Sequence, residues 1–276
     1  MLGAIEAGGT KFLCGVGDGP ENLKVAPVRT TTPEETMAAV AAFFREQGPV
    51  EAVGIGSFGP IDRTSGRITS TPKAAWRDFN LVGAVRRALG VPVGFDTDVN
   101  AAALGEGRWG GGRGLKDFVY VTVGTGIGAG AVVNGELAHG WSHPEMGHLR
   151  IPHDRGRDPF AGSCPYHGDC LEGLASGPAL AARWGRPGEE LATDHPAWEL
   201  EAHYLGLGLA NVVLMLAPLR ILLGGGVMRQ AGLCERIGAE LGGVLNGYVA
   251  AGEVGTAELG ERAGVLGALI LAEQAC

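Results

Sequence analysis

The chain has 276 residues, a formal net charge of −8 and 45% hydrophobic residues. A chain of this length usually divides into more than one core, so we predict two lobes with a cleft between them. The negative charge and the absence of a local Lys or Arg cluster exclude a nucleic-acid surface and favour a small-molecule partner. The apolar, uncharged stretch 204–219 falls short of the roughly 20 residues that cross a bilayer, so no membrane span is predicted there.

Glycine is the most unusual component of the sequence. It accounts for 49 residues, about 18% of the chain against an average near 7%. Many of these glycines fall in three tight groups, 8–9, 124–128 and 224–226, that interrupt apolar strands. Because glycine lets the backbone approach another group closely, the three turns suggest three contacts with a ligand.

The first glycine group lies between a predicted strand over 2–7 and a second strand over 12–16. Backbone N–H groups in such a turn can converge on an anion, and a hydroxyl and an ammonium next to them would add donors. A plain β-hairpin turn is the alternative. The phosphate-binding residues of this turn would be Gly8, Gly9, Thr10 and Lys11.

Three further elements follow the first turn. Apolar residues at helical spacing predict an amphipathic helix over 33–47, and 51–57 is predicted as the next strand. Another helix is expected over 80–89. These elements are interpreted as the scaffold of the first lobe.

Asp98 stands between an apolar strand that ends at Asp96 and an Ala-rich helix that starts at Ala101. An ordinary role for it would be to cap the helix, which is worth about 1 kcal/mol. Asp96 or Asn100 could provide the cap instead. The sharper hypothesis is a general base, because a carboxylate at a strand end beside phosphate-binding turns can deprotonate a hydroxyl that attacks a γ-phosphate.

The second glycine group repeats the design of the first. A strand over 117–123 leads into Gly-Thr-Gly-Ile-Gly, and a return strand over 129–133 follows. Two similar strand, glycine-turn, strand units indicate the two halves of a duplicated fold.

The third glycine group connects a short buried strand over 220–223 to a helix predicted to start at Val227. A glycine turn at a helix start suits a nucleotide, because the backbone can approach the ribose or base. A strand-to-helix turn without a ligand is the alternative. None of the three groups has the G-x-x-x-x-G-K-[ST] pattern, which excludes a P-loop.

A candidate metal site lies between the second and third turns. Cys164, His167 and Cys170 are spaced closely enough to bind one ion, and His148 could complete the tetrahedral set of a structural Zn²⁺. His153 is the rival fourth ligand. A closed site of this kind shapes a loop and leaves no open position for chemistry.

Glu145 and Glu172 flank the candidate metal site, so the loop would present both carboxylates to a ligand. A disulfide between the two cysteines of the site is the alternative. The chain has five cysteines, an odd count, and no secretory leader precedes Gly3. These features favour reduced thiols and a cytoplasmic protein.

The predicted division of the chain places 1–110 in a smaller α/β lobe and 111–263 in a larger one with the zinc loop, 145–176, inserted in it. The glycine-rich segment 110–114 is interpreted as the hinge. The last helix, 264–276, is apolar and would pack back on the first lobe.

Five motifs together resemble the ROK family of bacterial sugar kinases. They are E-A-G-G-T-K from Glu6, T-D-V-N-A-A-A-L-G-E from Thr97, V-G-T-G-I-G-A-G from Val123, E-M-G-H from Glu145, and C-P-Y-H-G-D-C-L-E-G-L-A-S from Cys164. The resemblance runs from Gly3 to the C-terminus and is greatest to the fructokinase branch. It implies an α/β fold of the actin-like ATPase class, with two ribonuclease-H-like lobes and with ATP and sugar in the cleft.

The resemblance also implies roles for individual residues. Asp98 would be the base, His148 would both bind zinc and contact a sugar hydroxyl, and Glu145 and Glu172 would be further sugar contacts. Mg²⁺-ATP would bind along the three glycine turns, at Gly8, Gly9, Thr10, Lys11, Gly124, Thr125, Gly126, Pro178, Gly224, Gly225, Gly226 and Val227.

Two departures from the family's glucokinases carry information about the sugar. Thr97 replaces the first Asn of their N-D-x-N motif, so a hydroxyl stands where an amide would bind the sugar. The Cys-x-x-His-x-x-Cys set replaces their cysteine pattern. Both departures resemble the fructokinase branch. Glu6 stands where many relatives have Asp, and we expect any contact with Mg²⁺ to pass through water.

The sequence therefore predicts ATP-dependent phosphorylation of a hexose 6-hydroxyl, with D-fructose as the preferred sugar. A kinase for glucose, mannose or N-acetylmannosamine is the alternative within the family. A sugar-sensing regulator is disfavoured, because the first strand starts at residue 2 and leaves no room for a helix-turn-helix. The resemblance also makes a homodimer a reasonable expectation.

Overall fold

A computed structural model describes the whole chain, Met1 to Cys276. The strands are β1 (Leu2–Ala7), β2 (Lys11–Gly17), β3 (Lys24–Arg29), β4 (Val53–Ser57), β5 (Ile61–Asp62), β6 (Arg67–Ile68), β7 (Val93–Thr97), β8 (Phe118–Val123), β9 (Ile127–Val133), β10 (Glu136–Leu137), β11 (Arg220–Gly224) and β12 (Glu253–Thr256). The α-helices are α1 (Pro33–Gln47), α2 (Leu81–Leu89), α3 (Asp98–Trp109), α4 (Leu171–Ala175), α5 (Gly177–Trp184), α6 (Ala197–Leu216), α7 (Leu233–Leu245) and α8 (Ala263–Ala275). Short 3-10 helices lie between some of them.

The chain forms two compact units, and the first comprises Met1–Arg113, His139–His143 and Glu261–Cys276. Its sheet has the strand order β3-β2-β1-β4-β7. Strand β1 pairs antiparallel with β2 and parallel with β4, which in turn pairs parallel with β7. The carboxyl ends of β1, β4 and β7 therefore lie at one edge of the sheet, and that edge carries the first glycine turn and Asp98.

The second unit comprises Gly114–Ala138 and Pro144–Gly260. Its sheet has the order β10-β9-β8-β11-β12. Strand β8 pairs antiparallel with β9 and parallel with β11, which pairs parallel with β12. In each unit three strands form an antiparallel meander, and the first of them pairs on its other side with a parallel strand that has a second parallel neighbour. The two sheets therefore have the same strand order, which agrees with the predicted duplication.

The units differ from the predicted lobes at their bounds, which lie at 113/114 and 260/261. The segment His139–His143 was predicted to belong to the second lobe but clusters with the first unit. Polar contacts hold this segment to the first unit: His139 Nε2 lies 2.9 Å from Asp96 Oδ2, and His143 Nε2 accepts the Ile61 N–H at 3.0 Å. No helix has the length and apolar character that a membrane crossing needs.

Helix α8 is the central packing element of the first unit, and its glycines allow very close contacts. Gly267 is buried, and a Cβ added there would overlap the carbonyl oxygen and carbon of Ala101 on α3. On the sheet side, a Cβ on Gly54 of β4 would overlap the Ala268 carbonyl. The backbone of α8 therefore lies directly against α3 and β4.

We expect Gly267→Ala to lower the free energy of unfolding by about 2 kcal/mol or more, since the added methyl meets backbone that cannot turn aside. The matched control is Gly242→Ala on helix α7, where a Cβ would meet nothing within 4 Å. There the higher helix propensity of alanine should stabilise the protein by up to about 1 kcal/mol. Urea denaturation of both variants measures the two effects. Equal stability of the two variants would contradict the packing described for α8.

Candidate active site

The first glycine turn is a tight hairpin between β1 and β2. The Gly8 N–H donates to the Lys11 carbonyl at 3.1 Å, and the Thr30 hydroxyl donates to the Gly8 carbonyl at 2.9 Å. A Cβ on Gly8 would lie 2.6 Å from the Lys11 carbonyl oxygen, so this position requires glycine. Thr10 and Lys11 are exposed beside this turn, so both side chains are accessible to a ligand.

Asp98 is the first residue of helix α3 and does not cap it. The cap is Thr97, whose Oγ1 accepts the Asn100 N–H at 3.1 Å. The sequence left the cap open among Asp96, Asp98 and Asn100, and none of these provides it. Asp98 Oδ1 accepts the adjacent Val99 N–H at 2.9 Å, which fixes the half-buried carboxylate at the strand end.

A buried carboxylate two residues earlier holds this strand end in place. Asp96 is 1% exposed, and its Oδ1 accepts hydrogen bonds from the Thr97 N–H at 2.8 Å and from Asn100 Nδ2 at 2.7 Å. Its Oδ2 lies 2.9 Å from His139 Nε2 and 3.2 Å from Arg63 Nε. This network has no signal in the sequence, because nothing in local spacing links Asp96 to His139 or Arg63.

Glu6 forms a second acidic position close to Asp98. Its carboxyl packs against Gly264, where a Cβ would lie 2.5 Å from Glu6 Cδ. Glu6 Oε2 is buried and has no hydrogen-bond partner. Burial is the main cause that raises the pKa of Glu6 to about 7, and the charge of Asp98 adds to it. A cation near both groups would relieve this repulsion.

The raised pKa of Glu6 has a consequence for stability. Below pH 4.5 the carboxyl is protonated in both states, and it has no effect on unfolding. Between pH 4.5 and about 7 the folded protein keeps a proton that the unfolded chain has lost, so stability falls as the pH rises. Above this pH range the free energy of unfolding is lower by on the order of 3 kcal/mol than below it.

Glu6→Gln should therefore be more stable than the parent protein at pH 8, and the difference should shrink at pH 5. Urea unfolding of both proteins at the two pH values, without divalent cations, measures this. The exposed Glu46→Gln on α1 serves as the control for a change of charge in the same unit. A Glu6→Gln effect that is the same at pH 5 and pH 8 would show that Glu6 does not titrate in this way.

The second and third glycine turns lie together in the second unit. The Gly177 N–H donates to the Gly124 carbonyl at 2.8 Å, and a Cβ on Gly124 would lie 3.9 Å from the Gly226 nitrogen. Gly225 has a φ of +94°, and a Cβ there would overlap Val123. The predicted helix at Val227 is a single 3-10 turn to Arg229, and α7 begins only at Leu233.

These turns line a cavity of about 980 Å³, whose wall includes Trp198 and Pro187 besides the predicted residues. This volume is within the usual range for small-molecule sites, roughly 300–1,000 Å³. Gly177, Trp198 and the polar residues Glu189, Arg229 and Gln230 also line the cavity and were not predicted from the sequence. Of the predicted nucleotide residues, the cavity is lined by Gly124, Thr125, Pro178, Gly226 and Val227.

The four predicted metal ligands come together. The ligand atoms of His148, Cys164, His167 and Cys170 lie within 4.8 Å of one another. The His148 Nδ1 atom lies 3.7 Å from Cys164 Sγ, 3.5 Å from Cys170 Sγ and 3.3 Å from His167 Nδ1. Tetrahedral zinc bonds would place sulfur and nitrogen about 3.5 Å apart and two nitrogens about 3.3 Å apart. The residues thus fit a Zn²⁺ ion.

His153, the rival ligand, has a different position. Its Nδ1 lies 3.2 Å from Asp169 Oδ2, and its Nε2 lies 3.0 Å from the Asp158 carbonyl. Both ring nitrogens face oxygen atoms, and His153 is not part of the four-residue group. Because Asp169 is the residue before the predicted ligand Cys170, the contact of His153 with Asp169 stabilises the loop without His153 being a ligand.

The three predicted sugar contacts in this unit also lie near one another. Glu172 Oε2 accepts the Ile127 N–H at 3.0 Å, and a Cβ on Gly126 would lie 2.6 Å from the same oxygen. Burial of the Glu145 carboxyl raises its pKa. The charge of His148 lowers that pKa, and the charge of Glu172 raises it further. Glu145, His148 and Glu172 therefore form one polar group beside the second glycine turn.

Comparison with known proteins gives a consistent result. A sequence profile of the ROK family matches residues 2–275. The fructokinase of Lactococcus lactis subsp. cremoris is 47% identical over 90% of this chain and 86% of its own length. The fructokinase of Zymomonas mobilis subsp. mobilis is 43% identical over 99% of this chain and 96% of its own.

A solved structure extends the likeness to the fold. The ROK family glucokinase from Streptomyces griseus, in complex with glucose and AMPPNP, has a TM-score of 0.82 and 30% identity, with 99% of each chain covered. The predicted α/β fold of the actin-like ATPase class is thereby confirmed. With a family profile that matches nearly every residue and relatives that match at full length, this chain belongs to the ROK family.

Proposed function

We propose that this protein is an ATP-dependent hexose kinase that transfers the γ-phosphate of ATP to the 6-hydroxyl of D-fructose. The observation that carries the proposal is the near-full-length identity of 43–47% to fructokinases, against 30% to the glucokinase from Streptomyces griseus. Thr97, which caps helix α3, stands where the family's glucokinases have Asn, and this difference supports fructose as the sugar.

In this proposal Asp98 is the general base. Its carboxylate accepts the proton of the sugar 6-hydroxyl as that oxygen attacks the γ-phosphorus. The Val99 N–H holds one carboxylate oxygen at 2.9 Å, and the buried Asp96 fixes the strand end. The site therefore supplies a base whose position is set before the substrate arrives.

The nucleotide would contact all three glycine turns. The phosphates would contact the turn formed by Gly8, Gly9, Thr10 and Lys11, together with the backbone of Gly124 to Gly126. The adenosine would occupy the cavity lined by Pro178 and by the turn Gly224 to Val227. Mg²⁺ bound to ATP would neutralise phosphate charge, and Glu6 would interact with it through water.

The sugar would be held by the polar group Glu145, His148 and Glu172, which suits the several hydroxyls of a hexose. Zinc bound by His148, Cys164, His167 and Cys170 would shape this loop and orient His148. This is a structural role, because four protein ligands complete a tetrahedral site.

We also propose a homodimer. Several large apolar side chains are exposed near the ends of α6 and α7, including Met215 at 75% and Tyr248 at 85%. A second copy of the chain is the partner that would cover them. Light scattering coupled to size-exclusion chromatography decides between one and two copies.

A coupled ADP-release assay tests the proposed function. With Mg²⁺-ATP and each of fructose, glucose, mannose and N-acetylmannosamine, kcat/KM should be highest for fructose by about tenfold or more, the range that pocket contacts can supply. A higher value for another sugar would overturn the assignment of fructose. ADP release that no sugar stimulates would overturn the kinase itself.

A further inference from the structure

Lys73 lies against the first glycine turn, although it is 64 positions along the chain from Gly9. A Cβ added to Gly9 would lie 2.8 Å from Cε and 3.7 Å from Nζ of Lys73. The absence of a side chain at Gly9 is thus what lets the lysine lie across the turn. Its side chain is exposed, so its ammonium is accessible to a ligand of the turn.

The backbone of Lys73 is held by a buried anchor three residues later. Trp76 is 1% exposed, its N–H donates to the Lys73 carbonyl at 2.9 Å, and its ring nitrogen donates to the Thr31 carbonyl at 3.0 Å. The ring packs against Phe12, with ring centroids 5.3 Å apart. Because Phe12 is on the strand that leaves the glycine turn, the turn and Lys73 share one rigid support.

The lysine predicted from the sequence to serve this turn lies beside a carboxylate. Lys11 Nζ lies 3.7 Å from a carboxylate oxygen of Glu261. Lys73 forms no ion pair within 4.0 Å. Of these two lysines, Lys73 therefore has the ammonium with no carboxylate beside it.

We propose that Lys73 is a further catalytic residue, whose ammonium binds the phosphoryl group during its transfer at the Gly8–Gly9 turn. This role rests on the proposed function. The bond between the γ-phosphorus and the β,γ-bridging oxygen breaks, and ADP leaves with that electron pair. The sugar O6 forms the new bond to phosphorus, its proton passes to Asp98, and Lys73 keeps its own protons.

The charge on the site explains why a lysine is needed. The transferred phosphoryl group carries negative charge on three equatorial oxygens. Asp98 adds negative charge in the same unit, and Glu6, whose pKa is raised to about 7, adds more above that pH. A cation across the turn offsets this charge, and such a group contributes chiefly to kcat.

The test uses Lys73→Met, Lys73→Arg and Lys24→Met, the last on an exposed lysine of β3 in the same unit. Lys73→Met should lower kcat by about 10²-fold or more while KM for the sugar changes by less than about threefold. Lys73→Arg should recover part of the loss, and Lys24→Met should match the parent. Thermal unfolding verifies that all the variants are folded.

Two outcomes would overturn the proposal. A Lys73→Met protein with near-normal kcat would remove Lys73 from the chemistry. A large rise in KM for the sugar at unchanged kcat would make it a sugar contact instead. Both outcomes require an active parent protein, so they are distinct from a failure of the proposed function, in which the parent itself shows no sugar-dependent ADP release.

Discussion

Replacing Asp98 with asparagine should lower kcat by about 10²–10⁴-fold, the range that a general base contributes. The amide cannot accept the proton of the sugar hydroxyl. It can still accept the Val99 N–H that Asp98 Oδ1 accepts at 2.9 Å, so the geometry at the start of α3 is kept. Binding of ATP should be nearly unchanged. Steady-state kinetics with both substrates measures these effects.

The matched control for this variant is Asp78→Asn, the same chemical change at an exposed position of the same unit. Asp78 has a φ of +57°, which asparagine also tolerates. The control should keep the turnover of the parent protein. Near-normal turnover in Asp98→Asn would remove Asp98 from the mechanism.

Loss of the zinc ligands should have the second large effect. The purified protein should contain about one equivalent of zinc under non-chelating conditions, as a four-ligand structural site does. Cys164→Ser should bind much less, and its kcat/KM for the sugar should fall by about tenfold or more. The reason is that His148 belongs to both the metal group and the sugar group, so its position depends on the ion.

Cys276→Ser, at the exposed C-terminus, is the control for removing a thiol. It should retain the zinc content and activity of the parent. Metal analysis by mass spectrometry and the kinase assay give both readouts. Less than half an equivalent of zinc in the parent, or full activity in a zinc-free Cys164→Ser protein, would contradict the proposed role of the metal.

Elements with strong local signals could be predicted from the sequence. The bounds of α1, Pro33–Gln47, are confirmed: Thr32 accepts the Glu35 N–H at the start, and Gly48 with a φ of +93° ends the helix. Both glycine hairpins are confirmed as well. In these cases the residues that fix the backbone are neighbours in the sequence, so their pattern is visible without the fold.

The start of α3 shows where local reasoning becomes ambiguous. Four of the five residues from Asp96 to Asn100 are polar, and each of them could accept a hydrogen bond from a free N–H group at the helix start. The choice of Thr97 as cap follows from the burial of Asp96, whose carboxylate is already engaged by Asn100 Nδ2 at 2.7 Å. That burial depends on packing that no local pattern specifies.

The packing of the last helix on the first lobe could be predicted from its apolar sequence, but other contacts between distant segments could not. His139 belongs to the first unit because its ring lies 2.9 Å from Asp96, although the residues on either side of its segment belong to the second unit. Lys73 lies across Gly9 because a tryptophan anchors its turn. In both cases the chain returns to a site from far away, and the interaction depends on tertiary structure.

The most direct test of the central claim is a competition experiment with the parent protein. Equimolar fructose and glucose are supplied with limiting Mg²⁺-ATP, and the sugar phosphates formed are identified by carbon and phosphorus NMR. The proposed function predicts fructose 6-phosphate as the main product. Glucose 6-phosphate as the main product, or phosphate on a different hydroxyl of fructose, would contradict it.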